Sequence, residues 1–186
     1  MTSTSRNWTI DELLAAEEAG DPLAFVLFWG HTPPASGEVG PHVFSQWWPQ
    51  PFDVDGVTYP TAEHYMMAEK ARVFGDDVAL AEILAASTAN QAKAGGRRVQ
   101  GFSNEVWNQH REDIVFQASI AKFGSDASLR TYLIETGDSV LVEASPTDAI
   151  WGIGMARDNP AAERPSQWLG LNLLGFALMR ARHELA

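Results

Sequence analysis

A carboxylate and an amine stand on one face of a single predicted helix, and this is where the sequence first points to chemistry. A helix is predicted from Thr61 to about Phe74, and Glu63, Met67 and Lys70 recur along it with helical spacing. Two turns, about 10 Å, separate Glu63 from Lys70. The two charges would then flank a ligand-sized gap with Met67 as its floor. The same spacing also fits an ordinary amphipathic helix whose charges are solvated.

A second carboxylate lies at a predicted helix start. Within Ser145–Asp148 the serine is expected as the N-cap, Pro146 as the first helical residue and Asp148 in the first turn. Asp148 therefore has two open roles, in catalysis or in stabilising a helix N-terminus by about 0.3–1 kcal/mol. Trp151 and Gly152 end this predicted helix after one turn. The missing side chain of Gly152 allows the backbone to approach either another element or a ligand phosphate.

Two further polar positions complete the set of candidates. Arg97, next to Arg98 at a predicted helix exit, offers bidentate donors for phosphate, although paired arginines also occur as solvated surface. Asn172 places an amide within an apolar predicted helix, either to bind a ligand or to satisfy backbone groups where elements pack closely. The five histidines show no metal-binding spacing, so no metal is predicted. His64 and His110 are expected to be hydrogen-bonded core residues.

Composition and charge limit the class of protein. The chain has 186 residues, of which 45% are hydrophobic and 20% charged, as in one ordinary globular domain. Its 24 acidic and 13 basic residues give a net charge of -11, which repels nucleic-acid backbones and excludes a general coating role. A small phosphorylated ligand can still bind where a few cations cluster. The seven tryptophans fit either a core or platforms for base stacking.

No membrane or secretory segment is predicted. No apolar run approaches the ~20 residues of a membrane helix, and the N-terminus lacks the apolar stretch of a signal peptide. The absence of cysteine rules out disulfides and thiolate metal sites and is compatible with a reducing compartment. We therefore expect a cytoplasmic location and no membrane partner. The sequence leaves the oligomeric state open.

Helix dominates the predicted secondary structure, and the expected fold class is mainly α, an α+β arrangement with a minor small β-sheet. Residues 1–22 are interpreted as an N-terminal extension whose helix begins in a Thr9–Glu12 capping box, and residues 23–186 as one domain. A buried strand is predicted at Ala24–Trp29, a second strand at Val140–Glu143, and short extended pieces around a turn at Asp55-Gly56. The remaining helices are predicted at Asp77–Ala86, Thr88–Lys93 (closed by Gly95-Gly96), Asn104–Phe123, Ser128–Glu135 and Trp168–His183.

These segments together resemble the YbiA/NADAR family, from about Val26 to Arg182. Each segment is weakly specific by itself, and their order and spacing over most of the chain carry the resemblance. The segments are Phe44–Pro49, Gly56–Lys70, Gly96-Arg97, Trp107–Arg111, Lys122-Phe123, Thr136–Gly154 and Gly170–Arg182.

The resemblance implies a multihelical single-domain fold and cleavage of an N-glycosidic bond, the bond between ribose and nitrogen, without a cofactor. The implied partner is a small phosphorylated nucleotide-like substrate. Bacterial relatives are associated with removing the base from reactive riboflavin-pathway intermediates, and other relatives with removing ADP-ribose from guanine. Ribosylamino-pyrimidine phosphates are therefore the first expected substrates, and ADP-ribosylated guanine, including guanine in nucleic acid, is the alternative.

By the same resemblance, Glu63, Lys70 and Asp148 are the catalytic candidates. Either carboxylate would stabilise the developing cation or activate water. Lys70 would either bind the substrate phosphate or attack the ribose as a Schiff-base nucleophile. The implied substrate-binding residues are Gln46, Trp47, Arg97, Trp151, Gly152 and Asn172.

The chain departs from the family pattern at Gln46–Trp48, where the family has asparagine followed by two smaller aromatic residues. Gln46 keeps the amide but lengthens the side chain by one methylene, and the paired tryptophans are bulkier and lack a hydroxyl. This departure bears on substrate specificity. Two other functions stay open: a binding module for NAD or ADP-ribose that catalyses nothing, and an interaction domain with a tryptophan-rich surface.

Overall fold

The computed structural model describes residues 6–186, so residues 1–5 of the predicted N-terminal extension lie outside the described part. Helix predominates, as predicted, and no helix in this range has the length and apolar character to span a bilayer. The helices are α1 (Ile10–Ala19), α2 (Ala62–Val73), α3 (Asp77–Leu84), α4 (Ala89–Arg97), α5 (Asn104–Gly124), α6 (Ala127–Glu135) and α7 (Leu173–Leu185). The strands are β1 (Phe25–Phe28), β2 (Phe52–Val54), β3 (Val57–Tyr59) and β4 (Val140–Glu143), and short 3-10 helices cover Pro41–Phe44 and Pro165–Gln167.

The chain divides into two compact units. The first contains the residues up to Ser45 together with Ala127–Ala186, and the second contains Gln46–Asp126. The described part of the predicted extension and the residues that follow it, up to Ser45, thus fall in one unit. The predicted domain boundary at residue 23 stays a prediction.

A parallel pair of strands lies at the centre of the first unit. β1 and β4 pair with Phe25 opposite Val140 and Phe28 opposite Glu143. α7 packs on β4, and α6 packs on α7. The first three residues of β4 are fully buried, whereas in β1 only Phe28 is, so the prediction of a buried first strand is right about the strand and wrong about most of its burial.

Helix α1 begins at the predicted capping box, Thr9–Glu12, and packs onto the rest of the first unit. The carboxylate of Glu17 accepts hydrogen bonds from the backbone N–H and the hydroxyl of Ser166, at 2.9 and 3.0 Å. Just before the helix, Trp8 Nε1 donates to the carbonyl of Asp138 at 2.8 Å. The described part of the N-terminal segment therefore belongs to the packed body of this unit.

The second unit is built around α2, which contacts α3, α4, α5 and β3. The β2–β3 hairpin turns at Asp55 (φ 50°) and Gly56 (φ 79°), as predicted from this turn pair. The hydroxyl of Thr61 accepts a hydrogen bond from the N–H of His64 and so caps the start of α2. The predicted bounds of this helix are confirmed, and they fix which residues share its faces.

The predicted end of α4 is wrong. Gly95 and Gly96 were expected to close this helix, but they lie inside it and the helix continues to Arg97. A Cβ added to Gly95 would lie 2.7 Å from Cγ1 of Ile83, and one added to Gly96 would lie 2.0 Å from Sδ of Met67. The two glycines are therefore required because α2 and α3 pack closely against α4, and not because the backbone turns there.

Two stretches predicted as helix are irregular instead. Residues 145–151 form turns, and α7 begins at Leu173 rather than at Trp168. The two stretches are joined by backbone hydrogen bonds, such as the one from the N–H of Leu171 to the carbonyl of Ala149 at 3.0 Å. These hydrogen bonds use backbone N–H and C=O groups that would otherwise pair within a helix. Tertiary contacts therefore override both helical predictions.

Candidate active site

Glu63 is buried near the start of α2, with 2% of its surface exposed. As the second residue of the helix it lies in the first turn, where the helix dipole favours a negative charge. Its backbone N–H donates to the carbonyl of Gln46 at 3.0 Å. The burial of Glu63 contradicts the alternative that the charges of this helix are simply solvated.

The hydrogen bond to Glu63 holds Gln46 beside the start of α2. The side chain of Gln46 is 8% exposed, and its Nε2 has no hydrogen-bond partner among the residues that the structure describes. Leaving a buried amide donor unsatisfied costs about 1–3 kcal/mol. An acceptor atom on a ligand would remove that cost, and the half-buried indole of Trp47 follows directly in the chain.

All three lysines of the chain lie in the second unit, each beside an aromatic ring. The distances from Nζ to the ring centroid are 4.1 Å for Lys70 and Phe102, 5.6 Å for Lys93 and Trp47, and 5.2 Å for Lys122 and Phe123. Burial lowers the pKa of Lys70 and lowers the pKa of Lys122 to about 7, because an ammonium is poorly solvated there. These two amines are therefore neutral more often than a solvated lysine would be.

Lys93 is a residue that the sequence analysis missed. It lies one turn before Arg97 on α4, and this spacing is the signal that could have found it. Arg97 is exposed and forms no salt bridge within residues 6–186, whereas Arg98 pairs with Glu82 at 2.7 Å. Of the two neighbouring arginines, Arg97 is the one whose guanidinium is available to a ligand.

His64 is a core residue, as predicted, whereas His110, which was expected to be one as well, is exposed. Nδ1 of His64 accepts a hydrogen bond from the hydroxyl of Thr61 at 2.8 Å, and its Nε2 donates to the carbonyl of Ala86 at 3.2 Å. Burial lowers the pKa of His64, which keeps the imidazole neutral. Over the described part of the chain, no three His, Asp or Glu side chains are grouped so as to hold a metal ion.

In the first unit, Asp148 shapes the loop that carries Trp151. One carboxylate oxygen, Oδ1, accepts hydrogen bonds from the backbone N–H groups of Ile150 and Trp151, at 2.9 and 2.8 Å. Asp148 therefore caps a turn and not the predicted helix. Its other oxygen makes no hydrogen bond to a described residue.

Gly152 and Asn172 have structural partners within the first unit. A Cβ added to Gly152 would lie 2.6 Å from the carbonyl oxygen of Glu143. The amide of Asn172 accepts from the N–H of Glu143 and donates to the carbonyl of Leu141, both at 3.0 Å. For both residues the structure supports close backbone packing, the alternative to ligand binding that the sequence left open.

The predicted site residues fall into two sets. In the second unit, the backbone joins Gln46 to Glu63, Lys93 extends over the ring of Trp47, and Lys70 lies further along α2. The remaining predicted residue of that unit is Arg97, and those of the first unit are Asp148, Trp151, Gly152 and Asn172.

On and beside α2, the second unit of this mainly helical fold carries a buried carboxylate, a desolvated amine and an unsatisfied amide donor. The chain belongs to the NADAR domain family, whose model matches residues 27–186. The predicted family is thereby confirmed. Helix α1 precedes the matched residues.

Named relatives agree with this family. The chain is 39% identical to an N-glycosidase of Acanthamoeba polyphaga mimivirus, over 86% of this chain and 95% of that protein. It is 35% identical to the N-glycosidase YbiA of Escherichia coli, over 77% of this chain and 79% of that protein. The NMR structure of Escherichia coli YbiA superimposes with a TM-score of 0.68 at 31% identity, over 87% of this chain and 84% of that one. The predicted YbiA-like multihelical fold is therefore confirmed.

Two substitutions separate the structural role of Asp148 from a chemical one. Asp148→Asn keeps an oxygen that accepts the two backbone hydrogen bonds, so we expect an unchanged free energy of unfolding. Asp148→Ala removes that acceptor and should lower the free energy of unfolding by about 1–2 kcal/mol, as the loss of a cap does. Urea unfolding of both variants is the measurement. Equal destabilisation by the two would show that the charge, and not the acceptor, holds the loop.

Proposed function

We propose that this chain is an N-glycosidase that hydrolyses the bond between ribose and a nitrogen base in a small phosphorylated nucleotide-like substrate. The enzyme class predicted from the sequence is confirmed by the relatives named as N-glycosidases. One structural observation supports this reaction for this chain in particular. Helix α2 bears a buried carboxylate, Glu63, and a desolvated amine, Lys70, that forms no salt bridge within residues 6–186.

Glu63 is proposed to act on the sugar. When a ribose–nitrogen bond breaks, the bonding electrons leave with the base and positive charge develops on the anomeric carbon. A buried carboxylate stabilises that charge more strongly than a solvated one because less water screens it. The same carboxylate is suited to take a proton from the water that adds to the anomeric carbon. The departing base gains a proton, and the sugar gains a hydroxyl.

Lys70 has two proposed roles, of which its pKa favours one. Burial lowers this pKa and so increases the fraction of neutral amine at neutral pH. In the Schiff-base route the neutral amine bonds to the anomeric carbon, and the base leaves with the bonding electrons and gains a proton. The bond between the anomeric carbon and the ring oxygen then opens to give an imine, which water hydrolyses to free sugar and the original amine. The protonated form would instead bind the substrate phosphate. The lowered pKa supports the nucleophilic role.

Gln46 and Trp47 are proposed to recognise the base. Nε2 of Gln46 is a buried donor that needs an acceptor, which a carbonyl oxygen or ring nitrogen of a base would supply. The indole of Trp47 offers a flat face for stacking. Lys93, beside that indole, and Arg97, one turn further along α4, are proposed to bind the phosphate.

Asp148 and Trp151 enter the proposal through the family resemblance. The uncommitted oxygen of Asp148 supports a role as a second carboxylate. Trp151 is half-buried on the loop that Asp148 holds and is proposed to stack on the substrate. Gly152 and Asn172 are proposed to keep this loop and β4 in place and not to contact the substrate.

A free small molecule is favoured over a nucleic acid because a net charge of -11 repels a polyanion at long range. Ribosylamino-pyrimidine phosphates of the riboflavin pathway are therefore the proposed substrates. ADP-ribosylated guanine is the second candidate.

Product analysis tests this function. The purified protein is incubated separately with a ribosylamino-pyrimidine 5′-phosphate and with guanine-linked ADP-ribose, and the products are identified by mass spectrometry against enzyme-free blanks. We expect free base and ribose 5-phosphate from the first substrate. Release of ADP-ribose from the second alone would assign the alternative substrate. Saturable binding without any product would overturn the enzyme and leave a binding module.

Arg97 and Arg98 provide a matched pair for testing phosphate binding. Arg97→Gln should raise KM for the phosphorylated substrate about tenfold, since an exposed charge-assisted hydrogen bond contributes on the order of 1–2 kcal/mol, and leave KM for a dephosphorylated analogue unchanged. Arg98→Gln removes the same charge but only a surface pair with Glu82, so its KM should stay within about twofold of the wild type. Steady-state kinetics of both variants is the measurement. Equal effects of the two substitutions would contradict this assignment.

A further inference from the structure

The amine of Lys70 lies beside two aromatic rings. Its Nζ is 4.1 Å from the ring centroid of Phe102 and 5.9 Å from that of Trp107. Phe102 immediately precedes Ser103, the N-cap of α5, and Trp107 lies in the first turns of that helix. Both rings therefore approach the C-terminal part of α2 from the beginning of α5 and the residue just before its N-cap.

The rings stand where a carboxylate would ordinarily be expected. The chain has 24 acidic and 13 basic residues, and salt bridges form at Arg6, Arg72 and Arg98. Lys70 forms none with any residue from 6 to 186, although Glu69 directly precedes it and instead pairs with Arg72. Attraction to a ring face holds an ammonium in place but leaves its N–H groups free of a carboxylate partner. A ring face can also remain in contact with the amine when the amine is neutral.

The two rings differ in exposure. Trp107 is 9% exposed and forms a fixed wall, whereas Phe102 is 40% exposed. Phe74, at the end of α2, contacts Phe102 with 5.3 Å between ring centroids and 58° between ring planes, which restrains the more exposed ring. The amine thus lies near one buried ring and one ring at the surface.

We infer that Phe102 and Trp107 are positioning residues that hold the amine of Lys70 by their π faces, in place of a carboxylate, and so keep it oriented and uncommitted for the substrate. This inference rests on the proposed function for its effect on turnover. The contact of the amine with the two rings is tested by a measurement that does not depend on the proposed function.

The placement of the amine is tested by NMR on the wild-type protein. Lysine labelled with carbon-13 gives only three side-chain spin systems, and Lys70→Arg identifies the one of interest. We expect its ε-protons to be shifted upfield by the ring currents of Phe102 and Trp107, and Phe102→Leu to remove much of that shift. An unshifted resonance in the wild type would overturn the inference and leave the N-glycosidase proposal untouched.

The energetic role is tested by replacing Phe102 with phenylalanines carrying one, two and three fluorine atoms. Fluorination weakens the negative face of the ring while nearly preserving its size. We expect kcat/KM to fall stepwise, to about a tenth of the wild-type value with three fluorines, and Phe102→Tyr to stay near the wild type. The same series at Phe74, which contacts Phe102 and not the amine, should leave kcat/KM unchanged.

A failure of the positioning role can be told apart from a failure of the proposed N-glycosidase function. Flat activity along the fluorine series at Phe102, or an equal decline at Phe74, would overturn the positioning role even in an active enzyme. If neither substrate is turned over, the N-glycosidase proposal fails, and the NMR shift alone then decides whether the rings hold the amine.

Discussion

Helix α2 is enclosed by α3, α4, α5 and β3, so the second unit depends on burying a helix that carries ionisable side chains. Water cannot solvate those groups, and each therefore needs a protein partner or a ligand. His64 has its partners in Thr61 and Ala86. Burial raises the pKa of Tyr65 to about 12, which keeps its hydroxyl neutral. Over residues 6–186, the amine of Lys70 lies beside ring faces and forms no salt bridge.

The same enclosure explains the small residues around α2. Ala68 and Ala71 are fully buried on the helix, and Gly96 of α4 leaves the space that Met67 fills. Helices that approach this closely cannot shift without creating voids or clashes. The separation between Glu63 and Lys70 along α2 is therefore fixed. A reaction that uses a carboxylate and an amine needs them at defined positions.

The sequence predicted most elements where local chemistry decides the structure. The capping residues Thr9 and Thr61 and the turn at Asp55-Gly56 act within a few residues, and the structure has each of them where it was predicted. The prediction was wrong where distant segments decide. Asn172 interrupts the predicted last helix because its amide bonds to β4, which precedes it by about thirty residues along the chain.

The candidate site divides in the same way. Residue type and spacing identified Glu63 and Lys70, since both lie on one helix. Spacing could not show that Glu63 is buried, because burial depends on the other elements packed around α2. Phe102 was missed for a related reason: its ring meets Lys70 only after the chain has passed through α3 and α4. The roles of all these residues in the reaction stay predictions.

Bond cleavage should depend on the charge of Glu63 more than on any other single feature of α2. Glu63→Gln keeps the shape of the side chain and removes that charge, and it is best measured for turnover and for ligand affinity on one preparation with a wild-type unfolding midpoint. We expect kcat to fall at least about 100-fold, as for the loss of a general base or an electrostatic stabiliser, while Kd changes less than about threefold. Turnover at the wild-type rate would contradict a catalytic role for the buried carboxylate.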